Sequence, residues 1–468
     1  MPLIKSISGI RGTIGGNPGE GLTPLDIVKY TAAFATLIQN SSNNKIFKIV
    51  IGRDARSSGN MVSSIVAGTL QGLGANVIDL GLSTTPTVEI AVTGEKADGG
   101  IIITASHNPK QWNALKLLNK NGEFISASEG EEVLRIAENE SFSFADIKML
   151  GNYTKDESYL KKHIDKILAL PLVDKAAIKA KKFKIVIDCV NSTGGIFVPV
   201  LLDALGVNDI VELYCEPNGE FPHNPEPLPE NLRDISKAVV KHKAHLGLVV
   251  DPDVDRLAIV SEDGEMFGEE YTLVAVADYV LKNKTGNTVS NLSSTRALQD
   301  ITEKAGGTYQ ASAVGEVNVV KMMKDTSAII GGEGNGGIIY PELHYGRDAL
   351  VGIALFLSHL AKFNNTCSML RSSYPGYYIS KNKIELTPDI DVDAVLRSIK
   401  DKYKKRPINT VDGIRIEFEK EWVHLRKSNT EPIIRIYAES STKTTAENLA
   451  EKIISDIKEI IRHSKTEA

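Results

Sequence analysis

A serine and three aspartates carry the strongest chemical signal in the sequence. Ser106 lies in Thr104-Ala105-Ser106-His107-Asn108-Pro109, directly after the apolar run Ile101-Ile102-Ile103. Far downstream, the apolar run Leu246 to Val250 ends in Asp251-Pro252-Asp253-Val254-Asp255-Arg256. Carboxylates at this spacing can converge on one hard cation in a tight turn, and oxygen-only ligation favours magnesium over zinc. The plain alternative is an acidic surface turn, but here the strand before the motif is apolar and Arg256 follows at once. An EF-hand is excluded, because its glycine and late glutamate are missing at the required spacing. Ser106 on its own could be a solvated hydroxyl or a helix cap. A metal site with only three protein carboxylates, however, wants another anionic oxygen. A phosphoserine would supply it, bringing about two negative charges and three acceptor oxygens. A phosphorylated Ser106 beside a cation held by Asp251, Asp253 and Asp255 points to phosphoryl transfer.

Other polar segments carry weaker signals. Gly331-Gly332-Glu333-Gly334-Asn335-Gly336-Gly337 lets backbone approach a ligand closely, and it lacks the Lys-Ser/Thr of a P-loop. Glu333 and Asn335 could bond sugar hydroxyls, with a flexible turn as the alternative. Arg426-Lys427-Ser428-Asn429-Thr430-Glu431-Pro432 offers an arginine, hydroxyls, an amide and turn N–H groups, the ingredients of a phosphate cradle. It could equally be a polar hairpin loop. Arg11 and Lys116 are candidates for electrostatic or acid–base work, although each alone reads as a surface cation. Lys116 could act as general base or acid if its pKa were lowered by burial or neighbouring positive charge. His107 could orient the serine loop, and Arg53-Asp54 reads as a buttress.

These residues must be positioned by short strands. Ile46–Ile51, Gly100–Ile103, Ile185–Ile187, Leu246–Val250 and Ser327–Ile330 are nearly continuous apolar runs, as suits strands covered on both faces. Between them lie helices, with Thr23-Pro24 and Asp26 giving one N-terminal cap and Thr85-Pro86 repeating the device. The alternation implies α/β layers with largely parallel sheets. In such sheets ligands bind beyond the carboxyl ends of strands. Thr104–Pro109, Asp251–Arg256 and Gly331–Gly337 all leave strands at that edge. Lys155 to Lys184 reads as a lysine-rich helical connector, and Glu216 to Glu230, with five prolines, as an extended surface loop. Toward the C-terminus, Ile414–Phe418 and Ile434–Ala438 alternate as half-exposed antiparallel strands do, and the Arg426–Pro432 loop reads as joining them. Thr444 and Glu447 offer a capping box for an amphipathic helix presenting Leu449, Ile453, Ile454 and Ile457. The expected division is 1–153, 154–256 and 257–372 as α/β domains and 373–468 as a smaller α+β domain.

Composition bounds the partners. At 468 residues the prior is about three or four domains. Hydrophobic content of 42% and charged content of 24% are those of a globular chain. A formal net charge of −5 argues against nucleic acid, whose phosphates recruit basic surfaces, but not against a small anion. Three scattered cysteines form no zinc pattern or disulfide framework. No run approaches the roughly 18 apolar residues of a membrane span, and the N-terminus lacks a signal-peptide core. A cytoplasmic protein, monomer or homodimer, is expected.

Taken together, the motifs SGIRG at 8–12, TASHNP at 104–109, DPDVDR at 251–256, GEGNGG at 332–337 and RKSNTEP at 426–432 resemble the α-D-phosphohexomutase family along the whole chain. The resemblance implies three related α/β domains and a C-terminal α+β domain around a central cleft. It implies Ser106 as phosphoryl carrier and one Mg²⁺ held by Asp251, Asp253 and Asp255 with the Ser106 phosphoryl oxygen. Arg11, Lys116 and Arg256 would then assist transfer, with His107 beside the serine. Glu333 and Asn335 would hold the sugar, while Arg426, Ser428, Asn429 and Thr430 grip the distal phosphate. The implied reaction interconverts hexose 6-phosphate and hexose 1-phosphate, primed by hexose 1,6-bisphosphate. Glucosamine phosphate is the first-choice substrate, with mannose and glucose phosphates as alternatives. A metal-dependent phosphatase and a non-catalytic phosphosugar sensor are the rival classes. One departure stands out: many members end the sugar loop in histidine where this chain has Gly337. His344, further along, is a candidate substitute imidazole.

Overall fold

The computed structural model describes residues 3–6, 9–42, 46–386, 390–427 and 433–466. The chain divides into two compact units, one formed by 1–284 with 329–371 and the other by 285–328 with 372–468. The α/β class with mixed sheets holds.

The first unit opens with a seven-stranded sheet, in spatial order Ile4–Ser6, Gly9–Thr13, Trp112–Leu118, Gly99–Ile103, Phe47–Arg53, Ala75–Leu82 and Tyr153–Lys155. Phe47–Arg53 runs parallel to both neighbours, whereas Trp112–Leu118 pairs antiparallel on both sides. Side chains alternate across a strand, so Ile101 and Ile103 enter the core containing Phe34, Ile49 and Val66. Ile102 enters the opposite core with Val88 and Val92. Burying each such side chain contributes about 1.5–3 kcal/mol, so the strand that delivers Ser106 is held from both faces. Pro24–Ser41 starts at Thr23 with a full capping box to Asp26, as expected. Thr85–Gly94, however, is capped by Thr84, whose side chain accepts from the Thr87 backbone. The hydroxyl of Thr85 is thereby released for another partner.

A second sheet places Leu246–Val250 between Leu257–Ser261, antiparallel, and Lys184–Asp188, parallel. All five residues of Leu246–Val250 are buried. The glycine-rich segment differs from expectation. Ser327 has φ 51° and ends the helix Glu316–Thr326, so the strand begins only at Ile330. Ile330–Glu333 and Gly337–Ile339 then form an antiparallel hairpin in which Glu333 faces Gly337.

The second unit contains an antiparallel sheet in the order Tyr378–Glu385, Ile433–Ser440, Trp422–Lys427, Ile414–Glu417 and Ile408–Asn409. Helices Val392–Lys402 and Lys443–Thr466 contribute Val395, Ile399, Ile453 and Ile457 to a core with Ile416, Val423 and Ile434. Trp422–Lys427 was not anticipated because the polar His424 interrupts its pattern; in the fold that ring is 2% exposed. The Arg426–Pro432 segment therefore leads from this strand into Ile433–Ser440. The last helix starts with reciprocal bonds between Thr442 and Thr445 rather than with the Thr444–Glu447 box. No helix among the described residues is long and apolar enough to cross a membrane.

Candidate active site

The Asp251–Asp255 turn is anchored from several directions within the first unit. The Asp253 carbonyl accepts from the Thr85 backbone at 2.9 Å and the Val254 carbonyl from Ala349 at 3.1 Å. Ser192 and Thr193 hydroxyls both donate to the Pro252 carbonyl. Val254 is held at φ 62°, a costly conformation for a β-branched residue, and it persists because these bonds over-determine it. The turn brings ligand-capable oxygens of Asp251, Asp253 and Asp255 within 4.8 Å of one another, and all three residues are fully buried.

Three carboxylates so close cannot all ionise at ordinary cost. Burial, reinforced by Asp255 and Asp253, raises the Asp251 pKa well above the carboxylate range. Burial also opposes ionisation of Asp253, but the charge of Lys116 together with hydrogen bonds from Lys116 and Thr85 holds that pKa down. Asp253 Oδ1 and Asp255 Oδ1 are buried acceptors that receive no hydrogen bond. Orphaned anionic oxygens converging from three aspartates fit a hard divalent cation such as Mg²⁺.

Ser106 stands at this trio. Its Oγ donates to Asp251 Oδ2 at 2.8 Å, and the residue is 4% exposed. It too has a positive φ, 47°. Thr104 Oγ1 accepts from the Ser106 backbone at 2.9 Å and donates to Asp54. The main restraint is Arg56, which the sequence reading passed over. Its Nε donates to Asp54 at 3.0 Å, Nη1 to the carbonyls of Pro109 and Trp112, and Nη2 to those of Ser106 and Asn108. One buried guanidinium thus gathers the backbone of the serine loop. Asp54 buttresses the site as expected, whereas Arg53 turns to Asn60. A charged pair just past a strand end was the available signal.

Four more expected residues gather in the same unit. Lys116 Nζ lies 2.7 Å from Asp253 and 3.5 Å from Asp255. Burial presses the ammonium toward neutrality, but these two carboxylates raise its pKa on balance. The condition for a general base, a lowered pKa, is therefore not met in this arrangement. Thr85 Oγ1 also donates to Asp253 at 2.5 Å. Arg11 reaches Asn108 Oδ1 at 2.8 Å. Arg256 makes long ion pairs, 3.8 Å to Asp255 and 3.7 Å to Glu226. His107 Nδ1 is 3.5 Å from Ser106 Oγ. Burial, with the nearby Arg256 and Arg11, pushes its pKa down to about 2, so the ring is neutral.

On the glycine-rich hairpin, Glu333 is 5% exposed and receives Arg347 Nη1 at 3.0 Å. Asn335 Oδ1 accepts from the Gly337 backbone at 3.2 Å. His344 does not stand at the end of this loop as a substitute imidazole. Its Nδ1 lies 3.2 Å from Glu89 and its Nε2 3.3 Å from Asp348, and Arg347 occupies the space beside Gly337 instead. In the second unit, Arg426 Nη1 lies 3.4 Å from Asp412. Ser428, Asn429 and Thr430 fall outside the described residues.

A serine hydroxyl bonded into a buried aspartate trio, with cations around it, is apt for moving a phosphoryl group. Known proteins resemble the chain along its length. The chain matches, in order, Phosphoglucomutase/phosphomannomutase alpha/beta/alpha domains I, II and III over residues 4–144, 161–264 and 268–377, and the C-terminal domain over 383–455. A phosphoglucomutase/phosphomannomutase of Thermococcus kodakarensis is 34% identical, covering 96% of this chain and 99% of the relative. A probable phosphoglucosamine mutase of Methanopyrus kandleri is 30% identical, covering 97% of each. In fold, a phosphoglucomutase/phosphomannomutase family protein from Burkholderia thailandensis superposes with TM-score 0.83 at 24% identity, covering 97% of this chain and 98% of that one. With all four domains matched along nearly its whole length, the chain belongs to the α-D-phosphohexomutase family and is an intramolecular phosphotransferase.

Proposed function

We propose that the protein interconverts hexose 6-phosphate and hexose 1-phosphate through phospho-Ser106 and a hexose 1,6-bisphosphate, with glucosamine phosphate as its first substrate. The observation that carries this reading is the 2.8 Å bond from Ser106 Oγ to Asp251, which joins carrier and candidate metal ligand in one buried site. The free hydroxyl of a bound hexose monophosphate attacks phosphorus, the bond from phosphorus to Ser106 Oγ breaks, and the proton that the hydroxyl loses is matched by the one that Ser106 Oγ takes up. The bisphosphate then turns end for end. Ser106 Oγ, losing its proton, attacks the other phosphate, whose bond to the sugar oxygen breaks, and that oxygen takes up a proton in exchange. Asp251, Asp253 and Asp255 would hold Mg²⁺, which when bound offsets charge on the transferring group.

Arg11 and Arg256 supply further fixed positive charge. Lys116, paired with Asp253, enters the cycle protonated and serves as acid and counter-charge. His107, neutral and adjacent, orients the serine. Glu333 and Asn335 hold sugar hydroxyls, and Arg426, Ser428, Asn429 and Thr430 form the grip for the non-reacting phosphate. The name of the Methanopyrus relative favours glucosamine phosphate; that of the Thermococcus relative favours glucose and mannose phosphates, the second reading. The test compares kcat/KM for glucosamine, glucose and mannose 1-phosphates, with Mg²⁺ and a trace of the matching bisphosphate. Fastest conversion of glucosamine 1-phosphate supports the proposal. A preference for glucose or mannose selects the second reading, and steady release of inorganic phosphate without isomerisation contradicts both.

A further inference from the structure

Gly337 lies opposite Glu333 on the hairpin, and no positive φ accounts for glycine at that position. Space does. A Cβ there would collide with Arg347 Cδ and lie 3.1 Å from both Arg347 Cγ and Asn335 Oδ1. The stem of Arg347 fills the volume into which a side chain at 337 would project. Its guanidinium then forks, with Nη1 donating to Glu333 Oε2 at 3.0 Å and Nη2 to Asp255 Oδ2 at 2.7 Å.

The backbone around Arg347 is fixed as well. Arg347 bridges to Ile339 of the hairpin, and the next amide, Asp348, donates to the Ile338 carbonyl at 2.9 Å. Ala349 donates in turn to the Val254 carbonyl at 3.1 Å, inside the aspartate turn. Arg347 is 8% exposed. Thus one planar group, on a backbone tied to both loops, spans a carboxylate of the sugar hairpin and a carboxylate of the aspartate trio.

We propose that Arg347 is a positioning residue for the mutase reaction, setting Glu333 and Asp255 together, and that Gly337 is the space it requires. The inference rests on the reading of Glu333 as a sugar ligand and Asp255 as a metal ligand. Lysine is no substitute, since a single ammonium lacks the two-armed fork that matches separate carboxylates. Any side chain at 337 displaces the arginine and releases both partners together.

The experiment is a mutant cycle in the full chain with Arg347→Met, Arg347→Lys, Gly337→Ala and the double variant Gly337→Ala/Arg347→Met. KM and kcat are measured with glucosamine 1-phosphate and glucose 1-phosphate. Calorimetry of EDTA-treated protein gives the Kd for glucose 6-phosphate independently of turnover. Arg347→Met and Gly337→Ala should each raise KM and that Kd about tenfold, the scale of one lost charge-assisted bond. Arg347→Lys should not restore them. The double variant should be no worse than Arg347→Met alone, because Gly337→Ala acts only through the arginine. Costs that multiply in the double variant, or single variants that melt earlier with unchanged KM and Kd, overturn the proposal. If the wild-type protein converts no hexose phosphate, the functional reading has failed instead.

Discussion

Replacing Arg56 is the sharpest way to ask how the serine loop is held. The guanidinium serves the carboxylate of Asp54 and four backbone carbonyls, and both side chains of the pair are 0% exposed. Breaking a buried ion pair by removing one partner costs about 3–5 kcal/mol. Each carbonyl left without a donor could add about 1–3 kcal/mol, but water reaching the loosened loop recovers much of that, so ~3–5 kcal/mol stands as the total. Against a typical stability of roughly 5–15 kcal/mol, Arg56→Met should fold but unfold at distinctly lower urea. Arg56→Lys keeps a charge beside Asp54 and should lose less stability, yet it cannot reach carbonyls in several directions. The positive φ of Ser106, a conformation that costs on the order of 1–3 kcal/mol, would then relax. A displacement of about 1 Å can cost on the order of a hundredfold in rate, so kcat of Arg56→Lys should fall by about that factor. Urea unfolding and steady-state rates on the same preparations separate the two effects. If Arg56→Lys turns over within a factor of about three of wild type, an effect too small for a misplaced nucleophile, the clamp argument is wrong.

Two further perturbations address the charges around the site. Asp253→Asn removes an anionic oxygen from the trio and the partner of Lys116, so calorimetric Mg²⁺ affinity should drop at least about tenfold and turnover with it; an unchanged Mg²⁺ Kd would rule out this residue as a ligand. His344 tests buried electrostatics away from the trio. Burial pulls its pKa down, but the carboxylate of Asp348, hydrogen-bonded to Nε2, and that of Glu89, 3.2 Å from Nδ1, raise it to about 10, with the His163 ring 6.4 Å away. Because the folded pKa exceeds the unfolded value of about 6.5, the stabilisation is complete below that pH and fades by roughly 1.4 kcal/mol per unit as pH rises toward 10. The stability gap between wild type and His344→Gln should therefore be widest near about pH 6 and close near about pH 10. Urea midpoints across that range check it, and a gap independent of pH contradicts it.

The serine and aspartate motifs were legible because chemistry at a strand end leaves a compact trace: an apolar run, then polar residues at fixed spacing. The strands Gly99–Ile103 and Leu246–Val250 were legible for the same reason, being buried on both faces. What escaped was set by tertiary partners. Arg56 and Arg347 look like ordinary cations in sequence, and only the fold shows the carbonyls and carboxylates they bridge. Thr85 reads as a cap in sequence because Thr84 and Thr85 are chemically equivalent at that point; the Asp253 carboxylate decides which hydroxyl is spare. Ser327 misled as a strand start because its left-handed backbone leaves no mark in the pattern. Trp422–Lys427 was hidden by His424, whose two ring nitrogens are paired with Ser293 and the Asp412 carbonyl.

The decisive observation is where phosphorus resides during turnover. Protein incubated with a trace of hexose 1,6-bisphosphate should gain the mass of one phosphoryl group, mapped by fragmentation to Ser106, and lose it to added hexose monophosphate at a rate no slower than kcat. Ser106→Ala should take up none and be inactive while remaining folded. Steady isomerisation with Ser106 never phosphorylated, or with the phosphoryl group on another residue, would contradict the mechanism.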